Sequence, residues 1–176
     1  MLAIGDAAPG FNLPGVDGRN HGLDSFKDAK ALCVVFSCNH CPYVKAYEDR
    51  LVALQADLGG RGFQLVAVNS NDSGGYPEDS FDEMKKRSAE KKFNFPYLRD
   101  ESQDVARAYG AQRTPHIFLF DAARRLAYLG RVDDNYQDPS AVKAHELRDA
   151  VEDLLAGRPV KVPETFAIGC TIKWKK

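Results

Sequence analysis

The sequence predicts an α/β domain, a mixed sheet with helices on both faces, and three observations carry that prediction. An unbroken apolar run rich in β-formers, Ala31 to Phe36, reads as a strand covered on both sides, and Phe63 to Val68, interrupted only by Gln64, reads as a second buried strand. Between them Val44, Tyr47, Leu51, Leu54 and Leu58 recur at spacings of 3, 4, 3 and 4, one face of a helix. Later, Ile117 to Phe120 and Leu126 to Leu129 form an antiparallel pair joined by the turn Asp121 to Arg125, and a last helix follows. A strand–helix–strand unit followed by a hairpin gives parallel and antiparallel pairing in one sheet.

Each element has its local reason. The first 22 residues are rich in Gly and Pro, and Pro14-Gly15-Val16-Asp17-Gly18 is a turn between two short extended pieces. Pro42 suits the first turn of the helix after the first buried strand, and Gly59-Gly60 stops that helix. A second helix starts near Pro77, with Glu78, Asp79, Asp82 and Glu83 early and Lys85 to Lys92 late, as the helix dipole favours. A short helix from Ser102 to Tyr109 ends at Gly110, and the last one runs from about Ser140 to Ala156, closed by Gly157 and Pro159. A tail through Cys170 and Trp174 completes the chain. The length, 176 residues, fits one domain, with residues 1–30 an N-terminal extension and 157–176 a C-terminal tail.

Composition excludes several classes. Lys and Arg number 24 against 25 Asp and Glu, so no electrostatic drive toward nucleic acid or an acidic membrane surface exists. A hydrophobic fraction of 44% supports a core and argues against global disorder. The longest apolar run, six residues, cannot span a bilayer. No glycine-rich nucleotide signature occurs, and no organic cofactor is expected. The first residues lack the features of a secretory signal, which favours the cytoplasm.

In a reducing compartment a close cysteine pair is more often catalytic, redox-sensing or metal-binding than structural. Cys38 and Cys41 are such a pair, at the carboxyl end of the first buried strand, where working sites of such sheets lie. A thiol attacks as thiolate, and a helix N-terminus stabilises that anion, bringing a cysteine from about 8.5 into a range of roughly 3.5–7.5. With Pro42 as the first helical residue, Cys41 is the N-cap and faces the unpaired amides.

Gly5-Asp-Ala-Ala-Pro9 with Phe11-Asn-Leu13, the strand-to-Cys-Pro junction, and Thr114-Pro115 before Ile117-Phe-Leu-Phe-Asp121 resemble the redoxin branch of thioredoxin-fold proteins. That branch includes peroxiredoxins and thioredoxin-like thiol–disulfide oxidoreductases. Phe36 to Val44 together with Gly169-Cys-Thr-Ile-Lys-Trp174 is similar to a peroxiredoxin-like subgroup. The resemblance implies a thioredoxin-like mixed sheet with an N-terminal β-hairpin extension. It also implies that Pro115 is a cis-proline packed against the active cysteine. Two registers are open: Cys38-Asn39-His40-Cys41 is itself the thioredoxin-type Cys-x-x-Cys, with Cys38 attacking, or Cys41 matches both the first thioredoxin cysteine and the peroxidatic one. Pro42 favours the second. In it Val34 and Cys38 stand where the peroxiredoxin pattern has Pro and Thr, so the hydroxyl that orients a peroxide is replaced.

The expectation is a thiol–disulfide oxidoreductase or peroxiredoxin-like reductase. Cys41 attacks a protein disulfide or a hydroperoxide, Cys38 resolves, and an external dithiol such as a thioredoxin system restores the protein. Pro42, His40, Thr114, Pro115 and Arg113 are the supporting residues, and Cys170 is either a resolving thiol or an incidental tail residue. The alternatives are a zinc- or copper-binding module, with His40, His116 or Cys170 completing a site begun by Cys38 and Cys41, and a redox sensor. Cys33 reads as core, His116 as either near the site or in the sheet, and Trp174 as packing the tail. Asp72, Glu78 and Asp79 read as a solvated loop and a helix first turn, and Lys85 to Lys92 as a solvated helix end.

Overall fold

The computed structural model describes residues 1–176. β1 (Asn12–Pro14) and β2 (Asn20–Gly22) form the N-terminal hairpin. β3 (Ala31–Ser37), α1 (Pro42–Leu58) and β4 (Phe63–Asn69) make the parallel unit that the apolar runs predicted. Then come α2 (Phe81–Lys91), β5 (Tyr97–Arg99), α3 (Asp104–Tyr109), β6 (Arg113–Thr114), β7 (His116–Phe120) and β8 (Leu126–Gly130). α4 (Glu146–Leu155) and β9 (Cys170–Thr171) end the chain. The central sheet has the order β5-β4-β3-β7-β8, parallel from β5 to β3 and antiparallel from β3 to β8.

β3 explains why two cores form. Its alternate residues Ala31, Cys33 and Val35 face α1, α2 and α4, where Tyr47, Leu51, Met84, Leu147 and Val151 pack on them. Leu32, Val34 and Phe36 face the opposite way, onto Val105 and Tyr109 of α3 and the N-terminal Phe11, Leu13 and Phe26. Period-two alternation in a strand sandwiched by apolar layers leaves no polar face, hence the unbroken run. Cys33 is fully buried in the first core, as expected.

Three sequence expectations are corrected. The last helix starts at Glu146 rather than Ser140, because Pro139–Ala141 forms a separate 3-10 turn capped by the Asp138 side chain. The helix expected near Pro77 is two pieces: a 3-10 turn, Pro77–Asp79, and then α2 with Ser80 as N-cap accepting from the Glu83 amide. Arg87, expected on a solvated helix end, instead forms a two-nitrogen ion pair with Glu48 of α1, whose side chain is buried. No helix is long and apolar enough to cross a membrane.

Candidate active site

β3 ends at Ser37, and the chain turns through Cys38-Asn39-His40 before α1. Cys41 is the N-cap, in extended conformation (φ −68°, ψ 129°), with Pro42 beside it in the first turn. The backbone therefore takes the form for which Pro at the first helical position is pre-organised. The Thr114–Pro115 peptide is cis and lies across from this turn. Cys41 Sγ is 3.4 Å from the Thr114 carbonyl oxygen, and Cys38 Sγ is 3.5 Å from the Thr114 hydroxyl.

The tail completes the site. β9 pairs antiparallel with β6 in the register Thr114–Cys170 and Arg113–Thr171. This puts Cys170 Sγ 2.7 Å from Cys41 Sγ, so three of the four cysteines meet at one place. Cys41 has no exposed surface and Cys38 is buried, whereas Cys170 is partly exposed.

The electrostatics separate the three thiols. A hydrogen bond from Cys38 holds Cys41 down to about 4, against the opposing effect of burial, with further help from the Cys170 thiol and the Val44 and Cys170 amides. Cys38 is pushed far up by the same hydrogen bond, by burial and by the charge of Asp79. Burial and the neighbouring Cys41 push Cys170 up to about 11. Of the three thiols, Cys41 is the one whose surroundings favour the anion, and those of Cys38 and Cys170 favour the neutral thiol.

Asp79 was expected in a solvated first turn; it is fully buried instead. Its Oδ1 accepts from the Asn39 amide (2.7 Å) and from Asn69 Nδ2 (3.2 Å), and its Oδ2 accepts from Asn71 Nδ2 (2.9 Å). His40 Nδ1 lies 2.7 Å from the same carboxylate, with its ring stacked over Tyr76. Asn71 Oδ1 in turn accepts from the Lys173 amide, and Gln103 donates to the Lys173 carbonyl and accepts from the Lys175 amide. One polar network thus grips both the cysteine loop and the tail. Asp79, Asn39, Asn71 and Gln103 were not found from sequence, since nothing in their spacing marks them.

Cys38, His40 and Asp79 offer ligand atoms within 4.8 Å of one another. The donor set suits zinc, but the Asp79 oxygens are already committed to three amide donors, which a metal would have to displace. His116 lies in the sheet, paired with Phe36, and accepts from the Gln112 amide through Nδ1. Burial, with the Arg113 charge, lowers it to about 4, so it is neutral near pH 7 and stands apart from the thiols. Arg113 is exposed on β6 next to the docked tail, close enough for its charge to act on Cys170. Trp174 stacks under the Arg107 guanidinium at 5.2 Å and holds the tail to α3.

Comparisons with known proteins bear on the family and the fold. The model of the Redoxin family matches residues 3–145. The chain is 26% identical over 122 residues to the thiol-disulfide oxidoreductase ResA of Geobacillus thermodenitrificans, covering 68% of this chain and 64% of that protein, so a third of the relative lies outside the match. A crystal structure of an uncharacterized conserved protein from Geobacillus kaustophilus superposes with a TM-score of 0.94 at 43% identity, over 99% of this chain and 94% of the other. The thioredoxin domain of a thiol-disulfide oxidoreductase from Bacteroides vulgatus superposes with a TM-score of 0.63 at 22% identity, over 73% and 89%, and shares the thioredoxin-like fold.

Proposed function

The chain belongs to the Redoxin family, and from that premise we propose that it is a thiol–disulfide oxidoreductase whose attacking group is the Cys41 thiolate. The single observation that carries this reading is the placement of Cys41 as the N-cap of α1, with Cys38 three residues before it and the Cys170 sulfur 2.7 Å away, surroundings that pull its thiol down to about 4. A substrate disulfide is attacked at one sulfur by Cys41, and the other sulfur leaves as a thiolate. Cys38 then attacks Cys41 Sγ of the mixed disulfide; the Cys41–substrate bond breaks, and the Cys38 proton goes to the departing substrate sulfur. The hydrogen bond that keeps the proton on Cys38 is strongest while Cys41 is an anion, and forming the mixed disulfide removes that anion. An external dithiol, such as a thioredoxin system, returns the pair to the reduced form. The cytoplasm supplies such donors and keeps thiols such as Cys33 reduced.

Cys38 occupies the position of the peroxide-orienting hydroxyl in the family pattern, which weighs against a hydroperoxide, and a protein disulfide reaches the fully buried Cys41 sulfur once the tail over it swings aside. Supporting roles fall to Pro42, which fixes the helix start, to Thr114, whose hydroxyl and carbonyl face the thiols, to Pro115, joined to it by the cis peptide, and to His40, which lies against the Asp79 carboxylate. Steady-state reduction of insulin disulfide and of hydrogen peroxide, with a thioredoxin system supplying electrons, tests the reading. Turnover with insulin that vanishes in Cys41→Ser is expected. Zinc or copper retained by the purified protein, with no turnover on either substrate, would instead assign the thiols to metal holding, and a Cys38–Cys41 disulfide that forms without turnover would assign them to sensing.

A further inference from the structure

Cys170 reaches the site by a dedicated piece of chain. Residues 171–175 are fastened to the body: Ile172 is buried in the core on the α3 face of the sheet, and the Ile172 amide bonds to the Gln112 carbonyl. The Lys173 carbonyl accepts from the Asp72 amide, and the Lys173 and Lys175 amides are held by Asn71 and Gln103. On the other side, Thr165 is bonded to Leu129 and Arg131, while Phe166 between the two anchors stands almost wholly in solvent. Gly169 passes so close to the Thr114–Pro115 peptide that no side chain fits there. The tail is thus pinned on both flanks, and its one reactive side chain stands 2.7 Å from the buried Cys41 sulfur. Cys38, in the same turn as Cys41, lies 3.5 Å from the Thr114 hydroxyl.

We infer that Cys170 is a second resolving thiol for Cys41, so that the oxidised protein carries a Cys41–Cys170 disulfide that staples β9 across the site. The inference deepens the proposed reaction and rests on Cys41 as the attacking thiol. In the first step Cys41 S⁻ attacks a substrate disulfide, forming one Cys41–substrate S–S bond and releasing the other substrate sulfur as a thiolate. In the second, Cys170 attacks Cys41 Sγ; the Cys41–substrate bond breaks, and the proton of Cys170 goes to the departing substrate sulfur. Two electrons pass from the two cysteines to the substrate disulfide, which leaves as one thiolate and one thiol. Loss of the Cys41 anion also removes one of the charges that keep the Cys170 proton on, so the second step is favoured once the first has happened.

The experiment uses 2,2′-dithiodipyridine as the disulfide probe, one equivalent per full-length chain. Each attack releases one coloured thiopyridone. Wild type, Cys38→Ser, Cys170→Ser, Cys38→Ser/Cys170→Ser and Cys41→Ser are compared, with circular dichroism confirming that each is folded. After alkylation and tryptic digestion the two disulfides are distinguishable, because Cys38 and Cys41 share the peptide of residues 31–45 whereas Cys170 lies in 162–173. In Cys38→Ser, two thiopyridones per chain and a cross-link between these peptides are expected. The double variant should stop at one thiopyridone, its second release slower by more than about 100-fold. If Cys38→Ser stops at the mixed disulfide with Cys170 alkylated, the role of Cys170 is overturned and that of Cys41 stands. If Cys41→Ser reacts as fast as wild type, the attacking thiol itself has been misassigned.

Discussion

Gly169 lies with its α-carbon against the Thr114 carbonyl: a Cβ built on it would stand 2.1 Å from that oxygen and 2.6 Å from its carbon. The neighbour is backbone rather than the end of a flexible side chain, so it has little freedom to yield. Gly169→Ala should therefore push the start of β9 off β6 and uncover Cys41. The measurement is the rate of iodoacetamide labelling of Cys41 at neutral pH, followed by mass spectrometry. A rise of about 10-fold or more over wild type is expected, since a buried sulfur becomes accessible while its place at the helix start is unchanged. An unchanged rate would mean that the tail is not what covers Cys41.

Asp79 holds three amide donors in the interior, those of Asn39, Asn69 and Asn71. Asp79→Ala leaves these without a partner, and each unsatisfied buried group costs about 1–3 kcal/mol before water or rearrangement recovers part of it. Urea denaturation should show a loss on the order of 3 kcal/mol. Both the Cys38–Cys41 turn and the tail hang from this network, so protection of the Asn39 and Lys173 amides from hydrogen exchange should fall together. Loss at one of them alone would separate the loop from the tail.

Most of the sheet was legible because burial on both faces writes itself as unbroken apolar runs, and α1 because its buried face repeats at helical spacing. The position of Cys41 was legible for a local reason, the proline next to it. The Asp79 network was not, because a buried carboxylate is recognised by the donors folding brings to it, and Asn39 and Asn71 come from separate loops. Whether Cys170 belonged to the site depended on a two-residue strand 129 positions from Cys41. No periodicity exists in two residues, so the pairing with β6 is visible only in three dimensions. Tyr97–Arg99 escaped for the same reason, a strand of three residues whose pairing partner β4 supplies its definition.

Ile172 is the apolar anchor of the tail, buried against the α3 side of the sheet. Truncating a buried Ile to Ala costs about 2–5 kcal/mol, and the tail has few other apolar contacts to share that loss. Ile172→Ala should thus free the tail locally before the domain unfolds. Limited trypsin digestion is the check: cleavage after Lys173 at least about 10-fold faster than in wild type, with the thermal midpoint of the body nearly unchanged. Equal loss of both would show the tail and the domain to be one cooperative unit.

The thiolate itself gives a pH prediction with a definite sign. Cys41 is held down to about 4 in the folded protein, whereas an unfolded cysteine ionises near 8.5. A lowered folded value means that the unfolded chain binds the extra proton between these limits. The stabilisation from the Cys41 anion is therefore complete above about pH 8.5 and is lost progressively as the pH falls toward 4. Ultraviolet thiolate absorbance, taken as the difference between wild type and Cys41→Ser, should show one thiolate already present at pH 7, with its midpoint near 4. Removing the largest stabilising contact with Cys38→Ala should move that midpoint upward, and the denaturation midpoint should then depend less steeply on pH below neutrality. Cys170, pushed up to about 11, contributes no thiolate in this range. A wild-type midpoint near 8.5 would mean that neither the helix start nor the flanking thiols stabilise the anion, and the mechanism built on Cys41 would lose its nucleophile.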